Sequence, residues 1–132
     1  MSEPIRVKSL DHVTIVVKDL ERTRKFYCDA LGMEQVPRPG FDFDGRWFQA
    51  GRTQIHLIRE HDQSGPAGNG AANTSRGHHF AFEVEDGHAA ARRLRELGLP
   101  IVSGPKERPD GAVQVFVQDP DGHLVELCSP PK

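Results

Sequence analysis

The sequence predicts an α+β chain made of two β-α-β-β-β modules, and three observations predict it. One pattern occurs twice: His12 heads an apolar run to Val17, Asp19 follows seven residues later, and a helical stretch closes at Leu31 and Gly32. In the second half His79 heads the run to Val84, Asp86 follows seven residues later, and the helical stretch closes at Leu97 and Gly98. Self-similarity on this scale is the mark of a repeated supersecondary unit. Each half also ends on an alternating strand with a metal-binding residue type at its centre, His56 in Gln54–Ile58 and Glu126 in Leu124–Cys128.

The elements follow in order. Asp11–Val17 alternates as a strand does. Asp19 is a good N-cap, and Leu20, Thr23, Tyr27, Ala30 and Leu31 form one helical face that Gly32 terminates. Met33–Val36 is a short strand, and residues 37–45, rich in Pro and Gly, form a loop. Arg46–Ala50 and Gln54–Ile58 make a hairpin around Gly51 and Arg52. Residues 59–77 hold four glycines and no periodicity. A loop that long inside a compact unit is a linker or a functional lid, and both readings stand. The second module runs through strand His79–Val84, a helix capped by Asp86 with apolar face Ala90, Leu94 and Leu97, and strands Ile101–Ser103, Ala112–Gln118 and Leu124–Cys128. Asp119–Gly122 is the turn between the last two, Pro120 presetting φ and Gly122 supplying positive φ. The expected organisation is one domain over residues 1–132: module one about 9–58, linker 59–77, module two about 78–128.

Composition excludes several classes. A net charge of -2 leaves no basic excess to replace phosphate counterions, so no nucleic-acid partner is expected. No apolar run approaches the ~20 residues of a membrane span, and the first residues lack the apolar core of a secretory signal. Cys28 and Cys128 are the only cysteines, too few for a disulfide scaffold or a thiolate zinc cluster, so the expected location is the reducing cytoplasm. Of the seven histidines, His61, His88 and His123 read as solvated surface.

Strand parity decides which residues share a face. His12 opposes Val13 and Ile15; His79 opposes Phe80 and Phe82; His56 opposes Ile55 and Leu57; Glu126 opposes Val125 and Leu127. All four candidates lie on the face away from the apolar packing. Glu83 shares the face of His79 and is the rival carboxylate, while His78 points to the opposite face. Taken singly, each has an ordinary alternative, a hydrogen-bonded core histidine or a solvent-facing glutamate; the matched places of the set point to a metal site. Three imidazoles and a carboxylate suit Zn, Ni, Co or Fe(II) better than Mg or Ca. Such a centre polarises a carbonyl and stabilises an oxyanion. Phe116 shares the cavity face with Gln114 and is placed to line a pocket for a small-molecule substrate; either Trp47 or Phe48 does the same, and Arg76 is positioned to add a positive contact. Two modules with one concave face each leave a half-built site unless a partner or the other module closes it, so a homodimer is expected.

These motifs resemble the vicinal oxygen chelate superfamily, which includes glyoxalase I, fosfomycin and bleomycin resistance proteins, methylmalonyl-CoA epimerase and extradiol dioxygenases. The resemblance is carried by Leu10, Asp11 and His12 leading into Asp19 and Leu20, by Phe26, Tyr27, Leu31 and Gly32, by Gly77–Phe82, and by Asp119–Leu127 with Glu126, nearly the whole chain. It implies paired β-α-β-β-β modules in a cup-shaped mixed sheet around a metal held by His12, His56, His79 and Glu126. It also implies a site often shared between subunits, His12 and His56 from one chain and His79 and Glu126 from the other. By ligand count glyoxalase I is nearest, which implies a lyase or isomerase moving a proton beside a carbonyl, with Glu126 as both ligand and base. Two positions depart: His56 stands where glyoxalase I typically has glutamate, and Val16 where some members carry a cation that helps hold glutathione. The alternatives are an extradiol-type dioxygenase, a fosfomycin-type thiol transferase and a non-catalytic bleomycin-sequestering module.

Overall fold

The computed structural model describes residues 3–68 and 76–132. Module one holds β1 (His12–Val17), α1 (Leu20–Arg24) running into a π-helical segment (Lys25–Ala30), β2 (Glu34–Val36), β3 (Gly45–Ala50) and β4 (Thr53–Arg59). Module two holds β5 (Phe80–Glu83), α2 (Gly87–Glu96), β6 (Ile101–Glu107), β7 (Val113–Gln118) and β8 (Leu124–Cys128). The strands form two four-stranded mixed sheets of one topology, ordered β1-β4-β3-β2 and β5-β8-β7-β6. In each the first strand pairs parallel with the last, leaving β1 and β5 on an edge. This is the α+β architecture the repeated pattern predicts.

Alternation along the strands sorts core from cavity face. In β1, Ile15 and Val17 are buried while His12 and Thr14 are exposed. Phe48, Ile55, Leu57, Val115, Val117 and Val125 join them in one apolar cluster spanning both modules. Each such side chain contributes about 1.5–3 kcal/mol on full burial. Phe48 is fully buried here, which removes it as a pocket residue and leaves Trp47 on the other face. Among the described residues no helix is long and apolar enough to cross a membrane.

Both helices begin as expected: the Asp19 carboxylate accepts from the Arg22 N–H, and Asp86 from His88 and Ala89. The first then departs from α geometry at Lys25. Phe26 and Tyr27, three and four residues after buried Thr23, both pack inward from it. In α2 the buried residues are Gly87, Ala91 and Leu94, and Leu97 is 39% exposed, so the packed face is rotated toward Ala91. β6 runs four residues beyond its expected end at Ser103. Register shifts around Gly104 carry the pairing with β7 onward. Gly104 has φ +89, and a Cβ there would meet the Gln114 carbonyl oxygen at 2.5 Å, so this bulge needs glycine.

The turn joining β7 and β8 is where the modules lock together. The Tyr27 hydroxyl donates to Asp119 Oδ2 at 2.8 Å, His123 Nε2 donates to the Val16 carbonyl at 3.0 Å, and Arg22 Nη2 donates to the Pro120 carbonyl at 3.0 Å. His123 is therefore not solvated surface: it is 4% exposed and bonded to the other module. A polar turn reads as solvent-facing from sequence, and docking against a distant segment reverses that. Burial raises the Asp119 carboxyl above its ordinary value, and burial followed by the Asp119 charge raises the Tyr27 phenol well above its own. Tyr27→Phe should lower unfolding stability by about 1–3 kcal/mol, because it strips a partner from a buried carboxylate. Urea denaturation measures it, and an unchanged midpoint would remove the lock from the account.

Candidate metal centre

Equivalent registers in the two sheets place the four candidate ligands. In the first sheet Thr14 stands opposite His56, and His12 precedes Thr14 by one pleat. In the second, Ala81 stands opposite Glu126, and His79 lies one pleat before Ala81. The third strand supplies an aromatic in each case: Trp47 opposite His56, Phe116 opposite Glu126.

His12 and His56 stack with ring centroids 4.0 Å apart and planes within 16°. Trp47 covers the other face of His56, also at 4.0 Å and nearly parallel at 3°. β4 lies between β1 and β3, so the His56 ring is held between the two neighbours. In the other module His79 Nε2 lies 3.0 Å from Glu126 Oε1, Gln114 Nε2 donates to Glu126 Oε2 at 2.9 Å, and Phe116 meets the His79 ring edge-on at 5.3 Å. The structure thus brings the candidates together as two pairs. No three of them meet: among the described residues there is no group of three or more metal-binding side chains within one chain. Arg76 is exposed in the turn before β5. Glu83 stands opposite Cys128 at the far end of β5, away from His79. Residues 69–75 of the linker, and with them the lid reading, lie outside the described residues.

Each imidazole has one ring nitrogen tied to an oxygen acceptor. His12 Nδ1 donates to the Asp11 carboxylate at 2.8 Å, His56 Nε2 to Gln54 Oε1 at 2.8 Å, and His79 Nδ1 to the Gly77 carbonyl at 2.9 Å. The tautomers so fixed leave a lone pair on Nε2 of His12 and His79 and on Nδ1 of His56, the arrangement in which outer hydrogen bonds orient metal-binding histidines. Burial, followed by the nearby His12, lowers the His56 pKa and favours the neutral form that binds metals. With Nδ1 donating, Nε2 of His79 faces Oε1 of a 4%-exposed glutamate at 3.0 Å, a contact that a proton on the ring or a shared metal ion satisfies equally. Two ligand atoms each about 2.0–2.2 Å from one ion at the tetrahedral angle stand about 3.3–3.6 Å apart, a few tenths of an ångström more than the 3.0 Å between these. The donor set fits a divalent metal.

Gln54, with Gln49 behind it at 2.8 Å, and Asp11 support these rings. Their signal was present: Gln54 shares the parity of His56 two residues on, and Asp11 adjoins His12. A cavity of about 560 Å³ lined by Leu31, Met33, Phe82, Leu94 and Leu127 opens on the opposite face of β5 and β8 from His79 and Glu126. It is large but remote from these donors.

Comparison with known proteins gives the architecture its family. The chain is 28% identical over 130 residues to Glyoxylase I 4 of Arabidopsis thaliana, covering 96% of this chain and 73% of that protein. It is 34% identical over 127 residues to an ethylmalonyl-CoA/methylmalonyl-CoA epimerase of Cereibacter sphaeroides, covering 89% and 95%. Among solved structures it superposes on a glyoxalase family protein from Bacillus anthracis with a TM-score of 0.77 at 26% identity, covering 98% and 100%. A lactoylglutathione lyase from Agrobacterium tumefaciens, at 22% identity and TM-score 0.69 over 93% and 94%, shares the fold. A family model matches residues 9–127, nearly the whole of both modules, and the chain belongs to the Glyoxalase/Bleomycin resistance protein/Dioxygenase superfamily.

Proposed function

We propose that this protein is a metal-dependent lyase or isomerase that moves a proton on the carbon beside a carbonyl of a small oxygenated substrate. His12, His56, His79 and Glu126 would hold a divalent ion of the Zn, Ni, Co or Fe(II) kind, and one folded domain over residues 1–132 would carry both half-sites. The observation that supports it most is the Glu126 carboxylate, buried, 3.0 Å from His79 Nε2 and held by Gln114. The relatives named for glyoxalase and epimerase activity favour the same proton chemistry over oxygen insertion.

When bound, the ion supplies Lewis-acid polarisation of a carbonyl oxygen. Glu126 is the base: Oε1 takes the proton from the activated carbon and returns it to product. Gln114 holds the carboxylate by its other oxygen, Oε2, while Oε1 would loosen from its ligand role to accept the proton. Phe116 and Trp47 flank the two half-sites and exclude water from the reacting carbon. Because the two ligand pairs do not meet within one chain, a homodimer that brings His12 and His56 of one subunit to His79 and Glu126 of the other completes the site.

Elemental analysis of protein purified without chelator should find one divalent ion per site. Alanine at His12, His56, His79 or Glu126 should each reduce that content. Full metal in both the His12→Ala and His79→Ala proteins would exclude the four-residue centre. The reaction itself is read in D2O by NMR, as deuterium entering the C–H beside the carbonyl of a methylglyoxal–thiol hemithioacetal or of methylmalonyl-CoA. Oxygen uptake with catechols and no such exchange would instead favour a dioxygenase.

A further inference from the structure

The loop between β2 and β3 does more than connect them. Residues 37–44 carry Arg38, Phe41 and Phe43, and the guanidinium carbon of Arg38 lies 4.8 and 5.0 Å from the centroids of the two phenylalanine rings. Those rings stack on each other at 5.2 Å, and Phe41 reaches Trp47 at 6.3 Å. Trp47 in turn lies flat on His56. One aromatic surface therefore runs from the candidate centre to a guanidinium.

By parity Gly45 shares the face of Trp47. A Cβ built on it would collide with the Leu57 carbonyl oxygen at 2.3 Å and meet Nε and Nη2 of Arg38, each at 2.9 Å, so the guanidinium packs directly against this glycine. Among the described residues no carboxylate stands within ion-pair distance of Arg38: Asp44, the nearby loop acid, pairs with Arg59 at 3.4 Å. Arg38 Nη2 donates to the Phe43 carbonyl at 2.8 Å, and its Nε is buried with no partner. Phenylalanine faces hold a cation in place without neutralising it. A half-buried guanidinium so held keeps its preference for a planar or tetrahedral oxyanion.

We infer that Arg38, with Phe41 and Trp47, is a substrate-specificity site that takes a flat apolar segment ending in an oxyanion, a carboxylate or a phosphate, on the substrate's end remote from the reacting carbon. This rests on the proton-transfer reading for the location of the reacting end. The substrate spans from vicinal oxygens at His56 across Trp47 and Phe41 to the Arg38 fork. Phe41 is 47% exposed, surface that such a segment would cover.

Calorimetry on the zinc-loaded protein with three probes tests it: para-(hydroxyacetyl)benzoate, para-(hydroxyacetyl)phenyl phosphate and neutral para-(hydroxyacetyl)benzamide. At least one anionic probe should bind about 10- to 100-fold tighter than the amide, as expected of charge-assisted hydrogen bonds, and the preferred one identifies the oxyanion. Arg38→Gln should abolish the difference between that probe and the amide. Arg38→Lys should retain part of the preference, and Phe41→Ala should weaken all three alike. Equal binding of the three by the wild type, or a preference that survives Arg38→Gln, overturns the anchor. Zinc content separates this from failure of the underlying reading: full zinc with no anion preference leaves the proton-transfer site standing. A protein that takes up no zinc and binds no probe overturns both.

Discussion

Glu126→Gln is expected to lower turnover by about 10²–10⁴-fold, the usual range for loss of a general base, while changing substrate affinity far less. The amide is nearly isosteric, so the Gln114 contact at 2.9 Å and the fold around a residue 4% exposed should persist. What is lost is the ability to accept a proton. Deuterium exchange into the wild-type substrate, against none in the variant at matched metal content, is the decisive pair of measurements. A variant that still exchanges at more than a tenth of the wild-type rate would remove Glu126 from the role of base. His56→Glu probes the same centre from the other side: it lowers the net charge of the bound centre by one and should keep or raise activity on the methylglyoxal–thiol hemithioacetal.

The second large effect comes from mixing two inactive proteins. A chain with His12→Ala and His56→Ala retains the His79 and Glu126 pair, and a chain with His79→Ala and Glu126→Gln retains the other. If the site joins two subunits, co-refolding the two should restore activity that neither has alone. Random pairing makes half the dimers mixed, each with one intact site of two, so recovery should reach about a quarter of wild type. The starting values should be lower by about 10²–10⁴-fold, so the gain is large. No recovery from a mixture shown to contain mixed dimers would place the site within one chain. Light scattering supplies the oligomeric state on which the arithmetic rests.

Much of the fold was legible in the sequence because the signals are local. Alternation in β1, β5 and β4 marked the core face, and Asp19 and Asp86 capped their helices where a short polar side chain precedes an apolar period. The repeat at matched spacing placed His12 with His79 and His56 with Glu126 at equivalent registers, since a parallel first and last strand bring the same positions together in each module. What the sequence could not determine depends on surfaces that meet at a distance. The π-helical geometry of Lys25–Ala30 is marked by no local pattern. His123 is buried because its turn docks on Val16, more than a hundred residues earlier. The choice of Trp47 over Phe48, and the presence of Arg38 beside them, followed from one register and one missing side chain at Gly45. Sequence alone determined the residue types, the repeat and their faces, because those are properties of neighbouring residues. Tertiary structure decided which of them touch, because contact between segments far apart depends on how two sheets and two modules pack, and no local pattern encodes that.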